Sequence, residues 1–526
     1  MRTTTRLASA LLIFAGSVPA SATSKIDADW KAFQTNSARY MNTRPVKLDG
    51  GARADKRALF SSREIATGRF VTIKRGERNL APKMSSSPHL SEFAFEGMPN
   101  MKLKLASFLD LDEMEKKGLK PLYNLTEVDK PELRNATLEV QPWSGDYWPI
   151  YQGGLGSRYA MASDGHSRNE WSLAYGSFKA QGSLAEILER GDETEIDSLS
   201  PSEKYDALIG EPRSVTGGSF GFLTPLMWQE GQEYANEKGR VEHWMGLCHG
   251  WAPASLNEPR PVKTIEAKAA SGNGTIHLYP TDLKGLSTLA WAKNDAHEHL
   301  VGGRCGSKNP RKDPETGRLL DQDCFDVNPG LWHLAIINQI GLVKRGFVID
   351  ATYDYEVWNQ PVFSYEISYF NPQTGAPSET ATEALVRMSE FTKDKFAKFR
   401  KGNAGSVVGV KMTIKYVAET SASHSKTDSP ENDRLVSTTY TYDLEISTRG
   451  DIVGGEWYQN AHPDFLWLTE ADSHPNSIGD AQITGEAWNP EQPLPNFWKE
   501  IAVRTAVATG APLARIIEPL MHHAAE

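Results

Sequence analysis

The 526-residue chain carries a formal charge of −10, with 67 acidic against 57 basic side chains, a balance that argues against a nucleic-acid partner. Hydrophobic residues make up 39% of it, with 14 Trp, 17 Tyr and 19 Phe, which excludes a disordered chain and supplies large side chains to bury. A chain this long exceeds what one hydrophobic core usually holds, so two or three substructures are expected.

In chain order, Arg2 and Arg6 precede an apolar run over residues 7–18, and Pro19-Ala20-Ser21-Ala22 ends it with small residues. This pattern reads as an export leader over 1–22, cleaved near Ala22, because the run falls short of the roughly 20 residues a bilayer span needs. No later segment reads as a membrane span, so the expected location is secreted, periplasmic or in the cell wall. Residues 23–138 form an N-terminal extension, either a removable pro-segment or an added small domain, with a linker-like stretch at 83–88. At 140–149 aromatics alternate with turn formers, as in loops that line clefts and equally in packed surface turns.

Ser200 with Glu203 three residues on predicts a capped helix, and Leu283, Leu286, Leu289 and Ala290 predict a second over 281–293. Residues 332–339 and 346–349 read as adjacent strands joined at Gly341, and 380–399 as helical. Alternation returns at 407–414 and 438–444, around a polar hairpin loop at 419–432, and the tail from Pro495 ends in an amphipathic helix. The expected division is a core over 139–400 and a β-rich C-terminal region over 401–526 with a terminal helix.

Three cysteines in an exported chain leave one unpaired. Cys305 and Cys324 flank a polar loop that a disulfide could close, which would leave Cys248 as the free thiol; the alternative pairs Cys248 and leaves another cysteine free. A nucleophilic thiol needs open approach, a lowered pKa and donors for an oxyanion. Gly246 permits close backbone approach, and a helix starting after Cys248 presents its first N–H groups, although Pro253 lies inside it. Taken alone, a single Cys is more often a small buried hydrophobe.

His333 opens one expected strand and Asp350 closes the next, so strand pairing would bring them together as the base and its orienting carboxylate. Judged singly, His333 is more often a satisfied core histidine and Asp350 a turn carboxylate. His249 is a weaker base because adjacent residues point apart; His243, His297 and His299 are further options. Trp244 and Trp228 are candidate indole donors to an oxyanion.

Gly246-Leu247-Cys248-His249-Gly250-Trp251-Ala252 resembles the Gly-x-Cys-Trp-x-x-Ala pattern of transglutaminases, and Val348-Ile349-Asp350-Ala351-Thr352 resembles their Asp-Ala-Thr strand. Residues 355–362, Tyr-Glu-Val-Trp-Asn-Gln-Pro-Val, are similar to the segment by which plants recognise the oomycete cell-wall transglutaminase elicitors. The loop at 143–149, Gly454-Gly455-Glu456-Trp457 and the run 462–467 also resemble that family and its bacterial relatives. His249 stands where animal transglutaminases carry Trp, Tyr353-Asp354 where they carry Pro-Gln, and Phe363-Ser364 where the elicitor has a basic residue.

The resemblance implies an α+β fold with a papain-like transglutaminase core and an antiparallel sheet. It implies a Cys248–His333–Asp350 triad that transfers the acyl group of a peptide Gln to an amine such as Lys through a thioester, releasing ammonia. A thiol peptidase or amidase using the same residues, and a noncatalytic cell-surface recognition protein, are the rival readings. No cofactor is required by the sequence. Asp321, Asp323 and Asp326 could help hold Ca²⁺, but the turn glycine of a calcium-binding loop is missing and a solvated acidic stretch is favoured.

Overall fold

The computed structural model describes residues 37–42, 63–64, 69–70, 101–160, 170–212, 219–272, 274–293, 298–305, 307, 309–321, 324, 327–400, 402–459, 461–485 and 487–526. The leader, the 83–88 linker, His297, Asp323 and Asp326 lie outside them.

Two short hairpins, β1 (Arg63–Glu64) with β2 (Arg69–Phe70) and β4 (Ile265–Lys268) with β5 (Thr275–Leu278), stand apart from one large antiparallel sheet. That sheet holds β3 (Asn135–Thr137), β6 (Glu298–Gly302), β7 (Phe347–Asp350), β8 (Asn359–Phe370), β9 (Pro377–Ser378), β10 (Val386–Arg387), β11 (Ala404–Ala418), β12 (Arg434–Ser447), β13 (Ile452–Gly454) and β14 (Phe465–Thr469). Its main path runs β13-β12-β11-β8-β7-β14-β6. The sheet therefore joins strands from both sides of residue 400, and β3 ties residues before 139 into it.

Successive residues of a strand face opposite sides, and the sheet accordingly divides two cores. Phe465 and Trp467 of β14, Val348 of β7 and Phe363 of β8 join one core, with Leu247, Cys248, Trp251, Leu283 and Leu286. Leu466, Leu468, Ile349 and Val362 join the other, with Leu331, Trp332, Leu334, Tyr440 and Tyr442. The β11–β12 hairpin matches the expected strands and its cross-strand pairs fill the second core, with Val410 opposite Tyr442 and Met412 opposite Tyr440.

Several expected helices are present. Pro201–Ile209 starts at Ser200, whose hydroxyl accepts from the Glu203 N–H while the Glu203 carboxylate accepts from the Ser200 N–H. Pro280–Lys293 and the tail helices Asn496–Thr509 and Ala514–Ala525 also form.

Two expectations are corrected. Residues 332–339 are not a strand: Asn328 caps Gly330 N–H, Pro329 starts a helix over Pro329–Ile336, and the backbone continues as a π-helix over Ile337–Val343. An apolar run buried on every side has no periodicity to separate strand from helix, and the Asn-Pro start signal decides it. Residues 380–399 hold one helical turn at Ala381–Ala384, strand β10 and two 3₁₀ turns instead of a helix. There, pairing of Val386 and Arg387 with Val407 and Ser406 overrides helix propensity.

The disulfide is as expected: Cys305 bonds Cys324, and Cys248 is free and buried. Among the described residues no helix is long and apolar enough to cross a membrane.

Candidate functional site

Cys248 opens the helix Cys248–Asn257. Its approach is fixed by backbone contacts: Leu247 N–H donates to the Tyr147 carbonyl at 2.6 Å, and Gly246 N–H donates to Asn42 Oδ1 at 2.9 Å. A side chain at Gly246 would meet the Tyr147 carbonyl, and one at Gly250 would meet the Thr288 carbonyl of the Pro280–Lys293 helix. The two glycines thus let an aromatic loop and a neighbouring helix close on the thiol's turn. Trp251 Nε1 donates to the Trp143 carbonyl at 3.1 Å, so the loop at 143–149 packs against the thiol's helix, with Trp143 and Trp148 buried in the same core. Pro253 is accommodated inside the helix at the loss of one helical hydrogen bond.

The thiol faces β8. Asn359 Nδ2 donates to Cys248 Sγ at 3.4 Å, and Sγ in turn donates to the Val357 carbonyl at 3.8 Å. Trp467 Nε1 donates to Asn359 Oδ1 at 2.8 Å. An indole N–H only donates, so it can meet only the oxygen of Asn359 and leaves the amide nitrogen turned to the sulfur. Burial pushes the thiol pKa up to about 12; the Asn359 hydrogen bonds work against that rise, while the charges of Glu419 and Asp350 add to it.

Asp350 is the register partner of Asn359 across β7 and β8, so it shares the face that meets the thiol. Its Oδ1 accepts from Thr352 N–H, Thr352 Oγ1 and Trp358 N–H, at 3.2, 2.8 and 3.0 Å, while Oδ2 is buried with no partner among the described residues. Burial raises this carboxyl to about 7, against the pull of those hydrogen bonds and of the Arg304 charge.

His333 is elsewhere, and its expected place beside Asp350 is corrected. It projects from a helix into the second core, where Nδ1 lies 2.8 Å from the Tyr442 hydroxyl and Nε2 is buried with no partner among the described residues. Burial lowers its pKa to about 3, so the ring is neutral. The sheet stands between it and Cys248. His249 follows the thiol but makes no hydrogen bond among the described residues, and burial holds it down to about 3. His243 lies 3.9 Å from Glu356, and His299 lies against the Ser107 carbonyl and Glu470. Of the candidate oxyanion donors, the Trp244 indole donates to Glu242, and the Trp228 indole, packed beside Gly153 and Gly156, has no partner among the described residues.

The group assembled around the sulfur is therefore Asn359, Trp467 and Asp350, of which sequence reasoning named only the last. Asn359 and Trp467 both fall inside motifs singled out above, but nothing in their spacing marks one as the sulfur's donor and the other as that donor's anchor. Of the calcium candidates, Asp321 pairs with Arg311 at 2.5 Å, and among the described residues no group of His, Cys, Asp and Glu could hold a metal ion.

Residues 225–485 match the family model described as "Transglutaminase elicitor". A solved structure, the GP42 transglutaminase from Phytophthora sojae, is similar at 20% identity and a TM-score of 0.45 over 70% of this chain and 92% of that one. No curated protein matches the chain. The matched span, just under half of the chain, holds Cys248, Asp350, Asn359 and Trp467, and over it the chain is similar to the transglutaminase elicitor family.

Proposed function

We propose that the protein is a transglutaminase-type acyltransferase that uses Cys248 to take the acyl group from a peptide Gln and pass it to an amine such as Lys. The observation that carries this is a buried thiol at the first turn of a helix, held by an anchored amide donor with an ionisable carboxyl on the adjoining strand, inside the span that defines the family.

Asn359 Nδ2 stabilises the thiolate and aims the sulfur. The N–H groups of the helix's first turn carry partial positive charge toward the oxyanion formed when the sulfur attacks the carboxamide. Asp350, poised near neutral pH, takes the thiol proton and passes it to departing ammonia as the C–N bond breaks and the thioester forms. The incoming amine then attacks the thioester, gives its proton to Asp350 and forms the isopeptide bond as the thiol is restored. Packing of the buried Trp143 and Trp148 of the 143–149 loop in the core beside Cys248 supports exclusion of water from the thioester, which favours the amine over hydrolysis.

The burial of the thiol and its raised pKa favour a second reading, a noncatalytic recognition protein that keeps the core as scaffold. Incorporation of a labelled primary amine into a Gln-rich protein separates the readings. Incorporation that Cys248→Ala abolishes supports the acyltransferase. Hydrolysis without transfer at any pH supports a thiol amidase, and neither activity in the whole chain or after proteolytic trimming leaves the scaffold reading.

A further inference from the structure

The residues that cover the Cys248 turn include a segment far away in sequence. Tyr40, Met41 and Asn42, at the end of the helix Ser37–Asn42, are buried in the same core as Cys248, with exposures of 7%, 1% and 2%. Asn42 Oδ1 accepts from Gly246 N–H at 2.9 Å, two residues before the thiol. Its amide nitrogen is buried with no partner among the described residues. The Arg304 guanidinium donates to the Tyr40 carbonyl and, at 2.7 Å, to the Tyr355 carbonyl, and it lies 5.7 Å from the ring centres of both Tyr40 and Trp244.

This constellation has a recognisable chemistry. A peptide carbonyl is received by an arginine, and a side-chain carboxamide is received through its oxygen by a backbone N–H two residues before the nucleophile. The amide nitrogen is left without an acceptor. A carboxamide that must lose its nitrogen as ammonia requires that disposition, with the carbonyl oxygen held by donors and the nitrogen untied. Arg304 also acts on Asp350 through its charge, so the groove and the proton acceptor share one cation.

We propose that the groove bounded by Trp244, Gly246, Arg304 and Tyr355 is the subsite for the carboxamide-bearing side chain of the donor peptide, and that Tyr40-Met41-Asn42 is its tethered occupant. The inference rests on the acyltransferase reading for the donor's identity. Asn42 is one methylene shorter than Gln, so its carbonyl carbon falls about 1.5 Å short of a Gln carbon entering along the same path. The occupant fills the site without reacting and keeps the thiol buried, which also accounts for a catalytic cysteine held in its neutral form.

The test measures alkylation of Cys248 by iodoacetamide and amine incorporation in three forms of the full chain: wild type, Asn42→Ala, and a protein with a protease site at residues 85–87, cut before assay. The expected result is that Asn42→Ala and the cut protein alkylate about tenfold faster than wild type or more, and that a synthetic peptide of residues 36–45 slows the cut protein again. Thermal melting of Asn42→Ala separates loss of the occupant from loss of fold, and the cut protein serves if that variant is unstable. Equal alkylation in all three forms overturns the proposal. Faster alkylation with no amine transfer from any Gln donor leaves the occupant in place and removes the acyltransferase reading. Amine transfer at one rate in all three forms does the reverse.

Discussion

Trp467 sets the orientation of Asn359: its indole N–H, 2.8 Å from Asn359 Oδ1, turns the amide nitrogen to the sulfur of Cys248. Asn359→Ala removes the sulfur's only side-chain donor among the described residues. The rate of Cys248 alkylation, followed against pH, is expected to show the thiol titrating at higher pH, with amine incorporation down about 10- to 100-fold. Trp467→Phe keeps the packing but frees the amide to rotate, so a smaller loss in the same direction is expected. An unchanged alkylation profile in Asn359→Ala would remove the amide from the site.

His333→Gln addresses the other face of the sheet. The variant loses the bond to the Tyr442 hydroxyl, at a cost of about 1 kcal/mol or somewhat more in a buried setting, while Cys248 alkylation stays within a factor of two. A tenfold or greater fall in alkylation, with the melting temperature of His333→Gln unchanged, would restore this histidine as the base.

The pH dependence of stability follows from the same burial. The folded pKa of His333 lies near 3, below the unfolded value of about 6.5. Its neutral form is therefore favoured by the fold, and the stability it contributes is complete above the unfolded value and is lost as pH falls from about 6.5 toward 3. His249 and His462 behave alike, each also lowered to about 3 by burial. Asp350 has the opposite sign: raised to about 7, it contributes most below the unfolded value of about 3.9 and loses that contribution as pH rises through 7. Melting curves of wild type and His333→Gln should approach one another just below pH 6.5 and cross as pH drops toward 3, and those of wild type and Asp350→Asn should separate in favour of the variant as pH rises from 4 to 7. Parallel curves would contradict both assignments.

Mass spectrometry after alkylation in denaturant checks the cysteines. One modified cysteine without reductant and three with it are expected, since Cys305 and Cys324 are bonded. Replacing both by Ser should cost about 3 kcal/mol of stability. The Asp464 carboxylate that receives the Cys305 N–H sits one residue before β14, so part of the cost should appear as loosening of that strand in hydrogen exchange.

The elements legible in the sequence are those whose patterns are local. The capping box at Ser200, the alternation of β11 and β12 and the cysteine pairing each rest on a few neighbouring residues or on a count. The residues 332–339 carry no alternation of exposure, because they are buried all round, and so the strand reading had nothing to contradict it. That one misreading also displaced His333, since placing it opposite Asp350 depended on strand pairing. Cys248 and Asp350 could be named from motifs, but the Asn359–Trp467 pair depends on which residues of β8 and β14 share a face. That register is set through β7, which pairs locally with β8 but also with β14, more than 100 positions away in sequence.

The sheet that separates the two cores has a practical meaning for altering this molecule. Cavity-filling or helix-stabilising changes among Leu331, Trp332, Leu334 and their partners Tyr440 and Tyr442 act behind a wall of backbone hydrogen bonds from the thiol. Except at Tyr440, whose hydroxyl feels the Asp350 charge, their effects should add to, and not entangle with, changes made at Asn359, Asp350 or Arg304. The face carrying His333 can thus be hardened against heat or acid as an independent module, leaving the chemistry of the opposite face to be tuned by itself.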